Sequence, residues 1–212
     1  MLNKEDIKIC ILDFKSGNTK SVLNICNFLN VNTIVSNKNS EIASATHLII
    51  PGVGSFDRVM DLLNQYIDIN NLNQLVLDHR KPILGICIGM QIFSSFGYEN
   101  QKKTPGLNYI QGEVKKMELD KTLALPQIGW NNVYFNEQGQ NDETFKIFHD
   151  NEFYFLNSYY MNCIDQSNVV LNYDYYKKFT AVIKKNNIFG CQFHPEKSQE
   201  NGIKFLKFFL KN

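Results

Sequence analysis

Residues 82–91, PILGICIGMQ, decide how the rest of the chain is read. Residues 82–86 are a short, continuous apolar run, the pattern of a strand buried on both faces. From 89 to 96 the pattern continues as a helix. A buried strand that gives way directly to a helix points to an α/β fold. Glycines two positions to either side of Cys87 are the signature of a nucleophile elbow, a turn so sharp that its neighbours must be small. The elbow lifts one side chain to the carboxyl edge of the sheet and places it at a helix start, where the dipole favours an anion. The thiolate is the reactive form of cysteine, so the position activates it.

Working outward, residues 7–13, 33–36 and 47–51 read as further strands. Residues 18–29, 56–66 and 72–79 read as helices. Continuous apolar strands separated by helices predict a mostly parallel central sheet with helices on both faces. The second half changes character: 110–119, 131–135, 153–161, 179–184 and 188–193 look like strands joined by short turns, extra antiparallel elements around the same core. Asn186-Asn187 is the hairpin turn between the last two, and 199–210 is an amphipathic helix. No internal repeat or linker breaks the pattern, so one domain over 1–212 is the expectation.

Composition narrows the function classes. The 212 residues are 43% hydrophobic and 20% charged with a net charge of +1, which gives no electrostatic reason to expect nucleic acid or an anionic membrane as partner. No apolar run approaches the roughly 20 residues of a membrane span. Five cysteines, odd in number and without CxxC spacing, argue against a disulfide framework or a zinc site and fit a reducing cytoplasm. Cys10, Cys26 and Cys191 lie in apolar-periodic segments, as small buried hydrophobes do.

A cysteine nucleophile needs a base, usually histidine. His47 begins a buried strand, His79 ends a polar helix and His149 falls in a turn. His194 differs, because it ends an apolar strand and is followed by Pro195 and Glu196. In an extended segment residues i and i+2 face the same side. Glu196 can then fix the tautomer of His194 and stabilise its imidazolium, with Pro195 stiffening the geometry. Acyl transfer also needs backbone N–H donors for an oxyanion. Ile88 offers one, and the Gly-rich turn Pro51-Gly52-Val53-Gly54 is suited to supply the second.

The motifs GICIGMQ, PGVGSF and FHPEKS, in that order, resemble the class I (triad-type) glutamine amidotransferases. DFKSGNTKSV at 13–22, PQIGWN at 126–131 and FLNSYY at 155–160 are most similar to the glutaminase subunits of imidazole glycerol phosphate synthase, the HisH family. The resemblance runs from Ile9 to the final helix. It implies a triad of Cys87, His194 and Glu196, and an oxyanion hole from Val53 and Ile88. Glutamine would be held by Gly52, Gln91, Glu99, Ser158 and Tyr159, with Glu99 near its α-amino group. Trp130 and Lys197 would face a partner synthase, a (β/α)8-barrel cyclase that receives the ammonia. The resemblance implies neither metal nor organic cofactor. Two positions depart from the family, which usually carries His where this chain has Gln127 and Asn157. Three other readings stand beside this one: a glutaminase serving a different synthase, such as a sugar amidotransferase of surface-glycan synthesis; a non-catalytic glutamine-binding or regulatory subunit; and another elbow hydrolase.

Overall fold

The computed structural model describes residues 6–120, 124–136 and 143–211. The first half alternates strand and helix. β1 (Lys8–Leu12) leads to α1 (Thr19–Phe28), whose first turn is capped by the Asn18 side chain accepting the Ser21 N–H. β2 (Asn32–Ser36), α2 (Asn39–Ser44), β3 (His47–Ile50) and α3 (Phe56–Tyr66) follow. Next come α4 (Ile69–Asn73), continued by a π-helical turn over Gln74–Asp78, then β4 (Ile83–Ile86) and the single-turn α5 (Ile88–Gln91). The second half holds β5 (Phe96–Glu99), β6 (Lys102–Pro105), β7 (Gly112–Lys116), β8 (Gln127–Phe135), β9 (Asn151–Asn157) and β10 (Tyr159–Cys163). β11 (Val169–Tyr175), β12 (Lys177–Lys185), β13 (Ile188–Cys191) and α6 (Gln199–Phe209) complete it.

Among the described residues the central sheet has nine strands in the order β2-β1-β3-β4-β13-β12-β11-β8-β9, and a second sheet runs β10-β7-β5-β6. The five strands from β2 to β13 are parallel; those beyond β13 are antiparallel. Alternation along β1 shows how the helices cover both faces. Ile9 and Ile11 pack with Val22 and Cys26 of α1 and with Phe205, Leu206 and Phe209 of α6. Cys10 and Leu12 point the other way, into a core with Ile42, Val59, Leu63 and Leu72.

Two local expectations change. The helix expected over 89–96 stops after one turn, because the carbonyls of Ile92, Phe93 and Ser94 are taken by the N–H groups of Leu107, Ile110 and Asn108. A helix cannot propagate once its carbonyls are diverted, and Phe96 begins β5 instead. The single strand expected over 153–161 is two strands in different sheets. The chain leaves the large sheet at Asn157 and enters the small one at Tyr159, with the Ser158 carbonyl accepting from Met117. α2, β6 and β11 carried no reading in the sequence.

Candidate active site

The site forms where β4 and β13 lie side by side. Their parallel register sets Cys191 against Ile86, and the Cys87 N–H donates to the Cys191 carbonyl at 2.7 Å. This pairing brings together segments about a hundred residues apart in sequence. Cys87 has φ +52°, a left-handed conformation that is costly for a residue with a side chain and is held only by its surroundings. The surroundings are glycines. A Cβ on Gly85 would stand 2.4 Å from the Gly89 carbonyl oxygen, and one on Gly52 would stand 2.0 Å from the Ile86 carbonyl oxygen. The turn carrying Gly52 and Val53 is therefore packed directly on the elbow. Ile88 begins α5, so its N–H has no partner within the helix.

The residue expected as base arrives on the segment after β13. His194 is extended, and Pro195–Lys197 form a 3-10 turn with proline at its start. This turn, rather than strand alternation, brings Glu196 Oε1 to 2.9 Å from His194 Nδ1. Ser198 Oγ donates to the His194 carbonyl and accepts from the Tyr154 N–H, tying the turn to β9. The His194 and Glu196 side chains are each 1% exposed. A carboxylate only accepts, so Nδ1 carries the proton, and Nε2 has no hydrogen-bond partner. Burial opposes charge on the ring. The Cys87 sulfur and the Glu196 carboxylate outweigh it and push the His194 pKa up to about 10. Burial raises the other thiols to about 11 at Cys10 and Cys26, about 12 at Cys163 and well above the ordinary value at Cys191. Burial of this kind suits structural thiols rather than nucleophiles.

A cavity of about 260 Å³ opens beside the thiol, lined by Gly54, Cys87, Ile88, Gln91, Glu99, Pro126, Leu156, Asn157, Ser158 and Tyr159. It is small and suits a ligand of amino-acid size. Glu99 Oε2 accepts the Phe56 N–H at the start of α3 at 2.7 Å, which fixes the carboxylate by a helix terminus and leaves Oε1 for a ligand. Burial raises its pKa. The Tyr159 carbonyl already accepts from the side chains of Gln91 and Asn157, so any contact from this pair to a ligand falls to other groups.

The two residues expected to face a partner lie outside this cavity. Trp130, 42% exposed, meets the Tyr154 ring edge-on at 5.9 Å, and Lys197 Nζ lies 5.6 Å from the same ring. Ile128, two residues before Trp130 on β8, is 62% exposed. Gln127 and Asn157 are register partners across β8 and β9. Both are buried, with Gln127 Nε2 and Oε1 and Asn157 Oδ1 unpartnered. Sequence reading missed Gln192, whose fully buried amide reaches the Cys87 sulfur. It reads as one more residue of an apolar strand, and only the register of β13 on β4 reveals its place.

The comparisons agree with this geometry. The model of the class-I glutamine amidotransferase family matches residues 10–212. The chain is 42% identical over 204 residues to imidazole glycerol phosphate synthase subunit HisH of Leptospira interrogans, covering 95% of this chain and 98% of that one. It is 36% identical over 203 residues to subunit HisH 2 of Methanococcus maripaludis, covering 96% and 98%. Among solved structures, PurLQS from Thermotoga maritima superposes with a TM-score of 0.73 at 16% identity, covering 97% of this chain and 98% of that one, a likeness of fold. With an elbow cysteine, a buried His–Glu pair and full-length similarity in hand, the chain belongs to the class-I glutamine amidotransferase family.

Proposed function

We propose that the chain is a single-domain glutaminase subunit that hydrolyses L-glutamine to glutamate and ammonia. It passes the ammonia to the (β/α)8-barrel cyclase subunit of imidazole glycerol phosphate synthase, in the cytoplasmic synthesis of histidine. The observation that carries the reading is the convergence of Cys87, at positive φ, with the buried His194–Glu196 pair beside a cavity that also holds Gln91 and Glu99. The names of the HisH relatives support the pathway. No helix among the described residues is long and apolar enough to cross a membrane, in keeping with the location.

The Cys87 thiolate attacks the side-chain amide carbon of glutamine. The N–H groups of Val53 and Ile88 stabilise the oxyanion. His194, as imidazolium held by Glu196, protonates the amide nitrogen so that it leaves as ammonia, and the neutral ring then activates the water that hydrolyses the thioester. Glu99 pairs with the substrate's α-ammonium, and Gly52, Gln91, Ser158 and Tyr159 hold the rest of it. The chemistry draws on the chain's own groups, without metal or cofactor. Trp130, Lys197 and Ile128 form the docking face for the barrel. Delivery within the complex keeps ammonia from being protonated in bulk water.

The test is glutamate release from glutamine, alone and with the barrel plus its ribonucleotide ligand. Cys87→Ala is expected to abolish turnover with folding intact, and the barrel to stimulate the wild type. A Cys87→Ala protein that turns over at the wild-type rate would overturn the chemistry. Activity indifferent to the barrel would keep the chemistry and reassign the partner.

A further inference from the structure

The triad accounts for His194 and Glu196 around the Cys87 sulfur. It leaves a buried amide, that of Gln192, with no role. Gln192 is 0% exposed and Gln91 3%, and a buried primary amide needs partners for all its polar atoms. The hydrogen bonds form one directed chain. Gln91 Nε2 lies 2.9 Å from the Tyr159 carbonyl oxygen. A backbone carbonyl only accepts, so this atom of Gln91 is the amide nitrogen. The same nitrogen lies 2.9 Å from Gln192 Oε1. With that end of Gln192 fixed as the acceptor, its Nε2 must face the other way, and it lies 3.5 Å from Cys87 Sγ. The Tyr159 carbonyl thus sets the orientation of two side-chain amides and aims an N–H at the sulfur.

The direction matters because the neighbouring contact is of the opposite kind. The Leu156 carbonyl lies 3.7 Å from Sγ. It can accept from a thiol but repels a thiolate. Reversed, the Gln192 amide would add a second acceptor and disfavour the anion further. With N–H toward sulfur it makes a charge-assisted bond once the proton has left.

We infer that Gln192 is the hydrogen-bond donor that holds the Cys87 sulfur as a thiolate, aimed by Gln91 and through it by the Tyr159 carbonyl. This rests on the glutaminase reading above, in which Cys87 is the nucleophile. It also gives Gln91, which lines the glutamine cavity, a second duty. A ligand that engages Gln91 touches the group that orients the thiolate's donor, so the empty and filled sites differ in how firmly that donor is held.

The experiment measures alkylation of Cys87 by iodoacetamide against pH, followed by mass spectrometry of the Cys87 peptide, with glutaminase kcat and KM and a thermal melt on the same samples. Gln192→Met keeps the volume and removes the donor. Its alkylation profile is expected to move up by about one pH unit, and kcat at neutral pH to fall about tenfold with KM within a factor of about two. Gln192→Glu keeps the acceptor for Gln91 and places a negative charge at the sulfur, so its profile should move further in the same direction. Gln91→Met leaves Gln192 free to turn over and should give a smaller shift of the same sign. If folded Gln192→Met and Gln192→Glu both alkylate with the wild-type profile, the inference falls. Should Gln192→Met fail to fold, the Gln192→Glu and Gln91→Met profiles decide in its place. If wild-type protein neither turns over glutamine nor shows Cys87 more reactive than its other thiols, the glutaminase reading itself has failed.

Discussion

Glu196 shows how much one buried atom can decide. One oxygen holds His194 Nδ1 and the other has no partner, so the carboxylate is committed to the ring at the expense of its own solvation. Glu196→Gln keeps the shape and removes the charge that makes an imidazolium favourable. Glutaminase kcat is expected to drop by on the order of 10²–10⁴, and a variant with wild-type kcat would deny Glu196 its role. A stability effect accompanies the change. With a folded pKa near 10 against an ordinary 6.5, His194 contributes stability that is present in full below 6.5 and is lost as pH rises through about 10. In Glu196→Gln the fall should be smaller and end at lower pH, which melting curves from pH 6 to 10 would show. The three residues proposed as a triad stand out in the sequence because each is marked by its neighbours: glycines around Cys87, a strand end and a proline between His194 and Glu196. Gln192 does not, since its place depends on which strand lies beside which.

The elements that matter most are the turn after β3 and the elbow after β4, and they act as one piece. A Cβ at Gly52 would meet backbone, the Ile86 carbonyl oxygen, rather than a side chain able to move aside. Gly52→Ala should therefore displace the Val53 N–H, lowering kcat by on the order of 10²–10³ and the melting temperature together. Unchanged kinetics would mean that this turn does not form the oxyanion hole. Elements with strong local signals, such as α3 and the apolar strands, were readable from the chain. The break at Ser158 was not, because apolar residues resume directly after the polar Asn157-Ser158 pair and no glycine or proline marks it. What ends β9 is the offer of a different partner strand, β7, a tertiary cause without a local trace.

For the molecule as a whole, a parallel half for the chemistry and an antiparallel extension carrying the Trp130 surface follow the division seen in the sequence. The second sheet does not, since its short strands lie among polar residues such as Lys102 and Lys103. Trp130→Ala is expected to weaken binding of the barrel by on the order of ten- to a hundredfold, as loss of a partly exposed aromatic anchor does; calorimetric titration would measure it. Acid should act through His47. This ring is 2% exposed, lies edge-on against Phe209, and is pulled by burial, with the Lys81 charge second, down to about 4 from 6.5. The unfolded chain then binds the extra proton, so stability is present above 6.5 and lost as pH falls toward 4, by on the order of 2–3 kcal/mol. His47→Gln should flatten that part of the curve; an unchanged acid slope would place the effect elsewhere. The central position of β13 has a consequence in time. Gln192 and Cys87 are 105 positions apart, and their strands are neighbours in the sheet. At ~5–20 residues per second a ribosome delivers His194 some ~5–20 s after Cys87. Until β13 slots in between β4 and β12, the nascent thiol lacks the base and the donor proposed for it, and on that reading its reactivity waits for the sheet to be whole.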